Sequence, residues 1–357
     1  MSVEILKISC CRNIESAQLS LIPGLNIITG ANASGKTTLL EALNLLGTGR
    51  SFRTSRLNHV VQTDQPALII FAQLVSSSGI SQRLGFQYKE GKRQLRLDGN
   101  PIHSGAELAQ LLPIQLINQQ SFDLIDQGPS QRRKFLDWGV FHVEHAFYSV
   151  WQRYMRAMKQ RNAALRLSDK QTEHWEQEMS KAAITLHGYR QSYVESLQPL
   201  FIASVSEMLD CDDITMQYRA GWDAEIPLNE LLATNRGKDR ELGYSRYGPQ
   251  RADIIFKRDG APARERLSRG QQKLLVSALV LGQAQLLANS TGKLGTVLID
   301  DISAELDSNH CSKLMKVLLA TGSQLVVTAI TPEQLPDIQS EKTAMFHVEH
   351  GKVKEVV

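Results

Sequence analysis

Three short segments, far apart in this chain, make chemical sense only if folding brings them to one place. The first is Gly30-Ala31-Asn32-Ala33-Ser34-Gly35-Lys36-Thr37-Thr38. An apolar run at 25–28 leads into it, and residues 37–46 follow with leucines at 39, 40, 43 and 46 on one side of a helix. Strand, glycine loop and helix in that order form a phosphate cradle. Backbone N–H groups make an anion nest, and the helix points its N-terminal dipole at it. These nine residues are the candidate ATP-binding set, with Lys36 charging the β- and γ-phosphates and the Thr37 hydroxyl ligating Mg²⁺.

The second segment, Val297-Leu298-Ile299-Asp300-Asp301, reads as a buried strand ending in two carboxylates. The C-terminal ends of such strands face the ligand in α/β sheets. Asp300 is suited to hold Mg²⁺ through water, and Asp301 is the natural general base for an attacking water. The third segment, Leu267-Ser268-Arg269-Gly270-Gln271, opens a helical stretch with Ser268 as its N-cap. A serine-capped helix tip is also a γ-phosphate clamp. Which molecule's phosphate it reaches is not determined by the sequence.

The remaining features set bounds. A chain of 357 residues is long enough for two domains. Its net charge of +3 is too small to argue for nucleic acid by itself, so that argument must rest on local clusters. Cys10, Cys11, Cys211 and Cys311 show no metal-like spacing and fit a reduced, cytoplasmic setting. No cationic leader with an apolar core opens the chain, and no run approaches the ~20 apolar residues that cross a bilayer. Short strands are expected at 5–8, 17–21, 25–28, 68–75, 83–88 and 94–97, with a turn at Asp98-Gly99-Asn100. From about Gly128 the pattern turns helical, with apolar residues at three- and four-residue spacing from Phe147 and again from Trp175 to Val205. Strands return at 252–257, 296–299 and 324–328. The expected architecture is an α/β ATPase head built from both chain ends, 1–112 and 243–357. A helical insertion at 113–242 has room for short paired helices but no long coiled-coil arm.

The three motifs together resemble the ABC-type ATPase superfamily, and the chain as a whole resembles its RecF family of DNA replication and repair proteins. The wider match includes Arg12-Asn13, Gly49-Arg50-Ser51-Phe52-Arg53 and Gly128-Pro129-Ser130 with Arg132-Arg133. It continues through Phe135-Leu136-Asp137-Trp138-Gly139, Tyr247-Gly248-Pro249 with Arg251 and Asp253, and Ser303-Ala304-Glu305-Leu306-Asp307. The resemblance implies an ATP-dependent homodimer in which Ser268, Arg269, Gly270 and Gln271 of one copy complete the site of the other. Arg12 and Asn13 would lie near the nucleotide, and residues 303–307 would couple the two sites. Gln119 or Gln120 would be the loop glutamine that senses the metal. It further implies binding of double-stranded DNA at single-stranded gaps, weak DNA-stimulated ATP hydrolysis, and RecA loading with the RecO and RecR proteins. Several residues depart from the family pattern. Ala33 replaces a glycine, which asks for a slightly different loop dihedral. Cys11 stands where an aromatic on the adenine side is common, Gln250 replaces a frequent histidine, and Thr328 occupies the transporters' switch-histidine position.

Candidate phosphate contacts for DNA are Arg50, Arg53 and Arg56 after the cradle helix, with Arg132 and Arg133 further on. Lys89, Lys92, Arg93 and Arg96, and a set running from Arg153 to Arg166 that includes Arg161, form further clusters. No stacking platform or recognition helix is evident. A transporter-coupled ATPase, and a structural head in which ATP is only glue, are the alternative functions.

Overall fold

The computed structural model describes residues 1–76, 78–167, 171–209, 211, 213–302, 306–335 and 343–356. The chain divides into two compact units, residues 1–121, 204–210 and 269–357, and residues 122–203 and 211–268. Alternating burial along β1 (Ser2–Cys11) and β2 (Ile14–Ser20) marks a sheet with one covered face. The next strand, β3 (Leu25–Thr29), is buried at every position and leads through the glycine loop into α1 (Lys36–Thr48). Then come β4 (Ala67–Val75), β5 (Ser81–Lys89), β6 (Lys92–Leu97), the short β7 (Asn100–Pro101), α2 (Gly105–Leu111) and β8 (Ile114–Ile117).

In the second unit the chain forms α3 (Asp123–Asp126), α4 (Pro129–Val143), α5 (Phe147–Leu167) and α6 (Thr172–Met208), of which α6 belongs to this unit as far as residue 203. It continues through β9 (Ile214–Arg219), α7 (Leu228–Thr234), α8 (Arg236–Leu242), β10 (Asp253–Arg258), β11 (Ala261–Pro262) and α9 (Ala263–Arg266). The first unit resumes with α10 (Arg269–Thr291), β12 (Thr296–Ile299), α11 (Ser308–Ala320), β13 (Gln324–Ala329), β14 (Thr343–Glu349) and β15 (Lys352–Val356).

Two six-stranded sheets build the first unit. One is antiparallel, in the order β2-β1-β4-β5-β6-β7. The other runs β15-β14-β3-β13-β12-β8 and is parallel except for β15. Its inner strands are wholly apolar or buried because both faces are covered. The leucines of α1 pack into a core shared with residues of β1, β4 and β13. Helix α10 is the one described helix long and apolar enough to cross a membrane, but 72% of its apolar window is buried in the protein. It is a core helix.

The structure moves the expected unit boundaries. Strand β8 lies in the stretch expected to be helical, yet it pairs with β12 and so belongs to the ATPase sheet. Residues 243–268, expected in the head, group with the second unit because β10 pairs with β9. Three apolar residues and Gln115 at 114–117 carry too little periodicity to separate strand from helix. The insertion also holds more than short helices, since α6 is 37 residues long.

A buried ionic cluster fixes the second unit. Arg161, fully buried, donates to Glu176 and Asp239 at 3.0 and 2.8 Å, to Ser245 Oγ and to the Leu232 carbonyl. Arg236 and Arg246 pair with the same two acids from the outside. Arg161 is therefore not available to a phosphate, contrary to its place in the expected basic set. Replacing Arg161 with Ala would leave Glu176 and Asp239 with only their outer arginine partners and is expected to cost about 3–5 kcal/mol of stability. Chemical denaturation of the variant against the parent measures it.

Candidate functional site

The parallel register sets the site. β3, β13, β12 and β8 run the same way, so the glycine loop, Thr328, Asp300 and the turn bearing Gln119 and Gln120 all emerge at one edge. Thr37 and Asp300, 263 residues apart, meet there: the Thr37 hydroxyl donates to the Asp300 carboxylate at 3.0 Å. Thr328, one strand over, donates its hydroxyl to Asp300 Oδ1 at 3.0 Å and accepts the Asp301 N–H at 2.8 Å. The Thr328 hydroxyl thus links the Asp300 carboxylate to the main chain at Asp301.

The loop is held from several sides. A Cβ on Gly30 would come within 2.2 Å of the Val348 carbonyl oxygen, so only glycine fits beside β14. Asn13 donates to the Ala33 and Ser34 carbonyls at 3.2 and 3.0 Å and accepts from the Thr38 hydroxyl at 3.0 Å. It ties the loop to α1. Thr38 therefore spends its hydroxyl on Asn13, and its side chain supports the loop. Ala33 adopts φ 63°, the left-handed region that glycine occupies freely, at a cost of about 1–2 kcal/mol. The loop keeps a glycine-like dihedral despite the alanine. Lys36 folds over the loop and donates to the Gly30 and Ala31 carbonyls at 2.6 and 3.0 Å. Burial lowers its pKa, while Asp301 and Asp300 oppose that shift.

These residues suit a nucleotide with Mg²⁺. A threonine hydroxyl and a carboxylate converge as hard oxygen donors, and Ser34 Oγ is a buried polar atom with no hydrogen-bond partner among the described residues. Among the described residues no group of three His, Cys, Asp or Glu side chains could cage a metal.

Other expected residues land elsewhere. Arg12 makes a bidentate pair with Glu41, a fully buried acid on α1 that also accepts from Ser51 Oγ. Its guanidinium serves to neutralise that acid. Cys11 is fully buried, its thiol pushed up to about 12 by burial, so it faces the core and not an adenine. Ser268 lies directly before α10, whose first turn holds Arg269, Gly270 and Gln271; Ser268 and Arg269 are exposed. Lys273, one turn along, donates to the Asp301 carbonyl at 3.2 Å and so links that helix to the acidic strand end. Residues 303–305 of the expected coupling loop lie outside the described residues. Gln119 and Gln120 are both exposed on the turn after β8.

The basic residues divide. Arg50, Arg53 and Arg56 are exposed on the segment after α1, and Arg93 donates to the Gly49 carbonyl at 2.8 Å. Two basic runs thereby join on one surface of the first unit. Arg132 and Arg133, expected on a DNA surface, are packing residues. Arg132 binds both Asp253 oxygens and the Leu124 and Gln127 carbonyls, and Arg133 donates to the Ala252 carbonyl. They clamp α4 to β10. Gln250 accepts from the buried Tyr154 hydroxyl and donates to the Ser245 and Tyr247 carbonyls, which gives the replaced histidine position a structural role.

Burial raises the Asp300 pKa, opposed by the Thr37 and Thr328 hydrogen bonds. A carboxyl raised on folding binds its proton more tightly in the folded state. Stability is therefore highest below the ordinary carboxylate range and falls as the pH rises through the raised value. Replacing Asp300 with Asn keeps an acceptor for both threonines and removes this cost. The ligand-free variant is expected to melt at a higher temperature than the parent at neutral pH, with the gain vanishing in acid. Melting curves across pH check this.

The profile of the RecF/RecN/SMC N-terminal domain matches residues 2–354. A protein of Pseudomonas paraeruginosa named DNA replication and repair protein RecF is 42% identical over 99% of this chain and 98% of its own. A protein of the same name from Stutzerimonas stutzeri is 42% identical over 100% of this chain and 98% of its own. Among solved structures, the recombination mediator protein RecF with ATP, described as of the RecFOR pathway, superposes with TM-score 0.87. It is 23% identical and covers 99% of this chain and 97% of its own. An Smc head bound to the C-terminal winged-helix domain of ScpA gives 0.63 at 14% identity, over 100% of this chain and 97% of its own.

Proposed function

We propose that this chain, which belongs to the RecF/RecN/SMC N-terminal-domain family and within it to the RecF proteins, is an ATP-dependent DNA-binding switch of replication and repair. The observation that carries the reading is the meeting of Thr37 and Asp300 at the mouth of the glycine loop, with Thr328 tying Asp300 to Asp301. ATP would lie on the loop from Gly30 to Thr38, its phosphates met by backbone N–H groups and Lys36. Mg²⁺, held by Thr37 and Asp300, would neutralise developing charge on the phosphates. Asp301 would orient the attacking water.

The tip of α10 from a second copy, with Ser268, Gly270 and Gln271, would close over the γ-phosphate and give a two-fold dimer with two shared sites. Ligand bridging the interface ties dimer affinity to ATP by mass action. The exposed arginines 50, 53 and 56 would contact the phosphates of duplex DNA, in a sequence-independent and salt-sensitive way. Gap-edge binding, slow DNA-stimulated hydrolysis, action in the cytoplasm, and partnership with RecO and RecR in loading RecA complete the reading. Its support is the RecF names of the relatives and the RecFOR pathway named for the matching structure.

Lys36→Ala is expected to abolish ATP binding, measured by calorimetry. Ser268→Ala should keep binding and lose ATP-driven dimerisation in sedimentation. Asp301→Asn should bind, dimerise and hydrolyse at least 100-fold more slowly, the scale of a lost general base. A Ser268→Ala protein that dimerises and hydrolyses normally would remove the shared-site arrangement.

A further inference from the structure

One hollow of the molecule lies entirely within the second unit. This hollow, of about 420 Å³, is walled by Arg219, Trp222, Arg251 and Asp253, with Pro129 at its edge and Gly221 in its floor. Its chemistry complements that of a nucleotide: a large ring surface beside two exposed guanidinium groups.

The hollow is built, not incidental. Gly221 holds φ 93°, and a Cβ there would lie 2.4 Å from the Gly248 carbonyl oxygen, so the turn into Trp222 needs glycine. The indole is braced from behind: His187 meets it edge-on at 5.4 Å and stacks on Tyr218 at 5.7 Å. Arg251 lies over the Tyr244 ring at 5.4 Å. The acid in the wall is already neutralised, because Arg132 pairs with both oxygens of Asp253. Among the residues that line the hollow, Arg219 and Arg251 stand against Asp253 alone. Positive charge is left over, and an anion would offset it.

We infer that this hollow takes one nucleotide of a single strand, its base stacked on Trp222 and its flanking phosphates on Arg219 and Arg251. The inference rests on the DNA-binding reading above and adds to it a place for a single strand. Base stacking of this kind tolerates any sequence, since every base has a π-face. The hollow shares no residue with the ATP site, so the two functions can be separated by substitution.

The test is anisotropy of a short fluorescein-labelled oligothymidylate with the full-length protein, repeated for a blunt duplex. Trp222→Ala and Arg219→Glu are each expected to weaken oligothymidylate binding about tenfold or more, with Trp222→Phe restoring most of the loss. Arg219 is exposed, so its variant guards against a folding defect in the Trp222 change. ATP binding and blunt-duplex affinity should stay at the parental value in all three. Parental affinity for oligothymidylate in both Trp222→Ala and Arg219→Glu would overturn the inference, as would a parent that does not bind it. So would thymidine monophosphate competing as well, per molecule, as the oligomer, because the hollow would then be a mononucleotide site. Loss of blunt-duplex binding by the parent would count against the DNA reading instead, and leaves this result legible.

Discussion

The hydrogen bond from Thr37 to Asp300 depends on almost everything else in the first unit being in register. Thr37 follows β3 and Asp300 follows β12, and the two strands are not neighbours: β13 lies between them. A slip of one residue in either pairing would turn every side chain to the opposite face and part the two groups. The all-buried strands and the leucines of α1 enforce the register through burial, worth roughly 25 cal/mol per Å² of apolar surface. The site is thus a consequence of core packing, although no apolar core residue takes part in its chemistry.

The same packing sets the electrostatics. Taking Asp300 out of water raises the free energy of its ionised form, and two threonine hydroxyls return only part of that. A divalent cation would return much more. A cation bound there would relieve that local cost. Lys36 follows the same logic with opposite sign, resting on the loop's own carbonyls beside the acids. Thr328 adds a connection: one hydroxyl joins the Asp300 carboxylate to the Asp301 backbone N–H, and so fixes the main chain at the second acid to the side chain of the first.

Much of this was legible in the sequence because the relevant signals are local. The glycine loop, the strand into paired acids and the serine before a helix each specify backbone conformation over a few residues, and the structure places them as expected. What was not legible depends on partners distant in sequence. Arg132 looks like a surface cation until Asp253 is brought beside it by the α4–β10 packing, and Arg161 until Glu176 and Asp239 close around it. Charge alone cannot distinguish a solvated arginine from one buried against an acid. β8 escaped for the opposite reason, being too short to show a period. Trp222 carried no signal at all: its significance comes from a glycine turn and a histidine contributed by separate elements.

In the proposed dimer each ATP is held by two molecules, by the loop of one and the α10 tip of the other. Mixing Lys36→Ala protein with Ser268→Ala protein tests it most directly. If the site is shared, the mixed pair contains one intact site, made from the loop of the second protein and the serine of the first. Sedimentation with ATP should then show heterodimers, although neither variant dimerises alone. A mixture that stays monomeric at ATP concentrations saturating the Ser268→Ala protein would contradict the account.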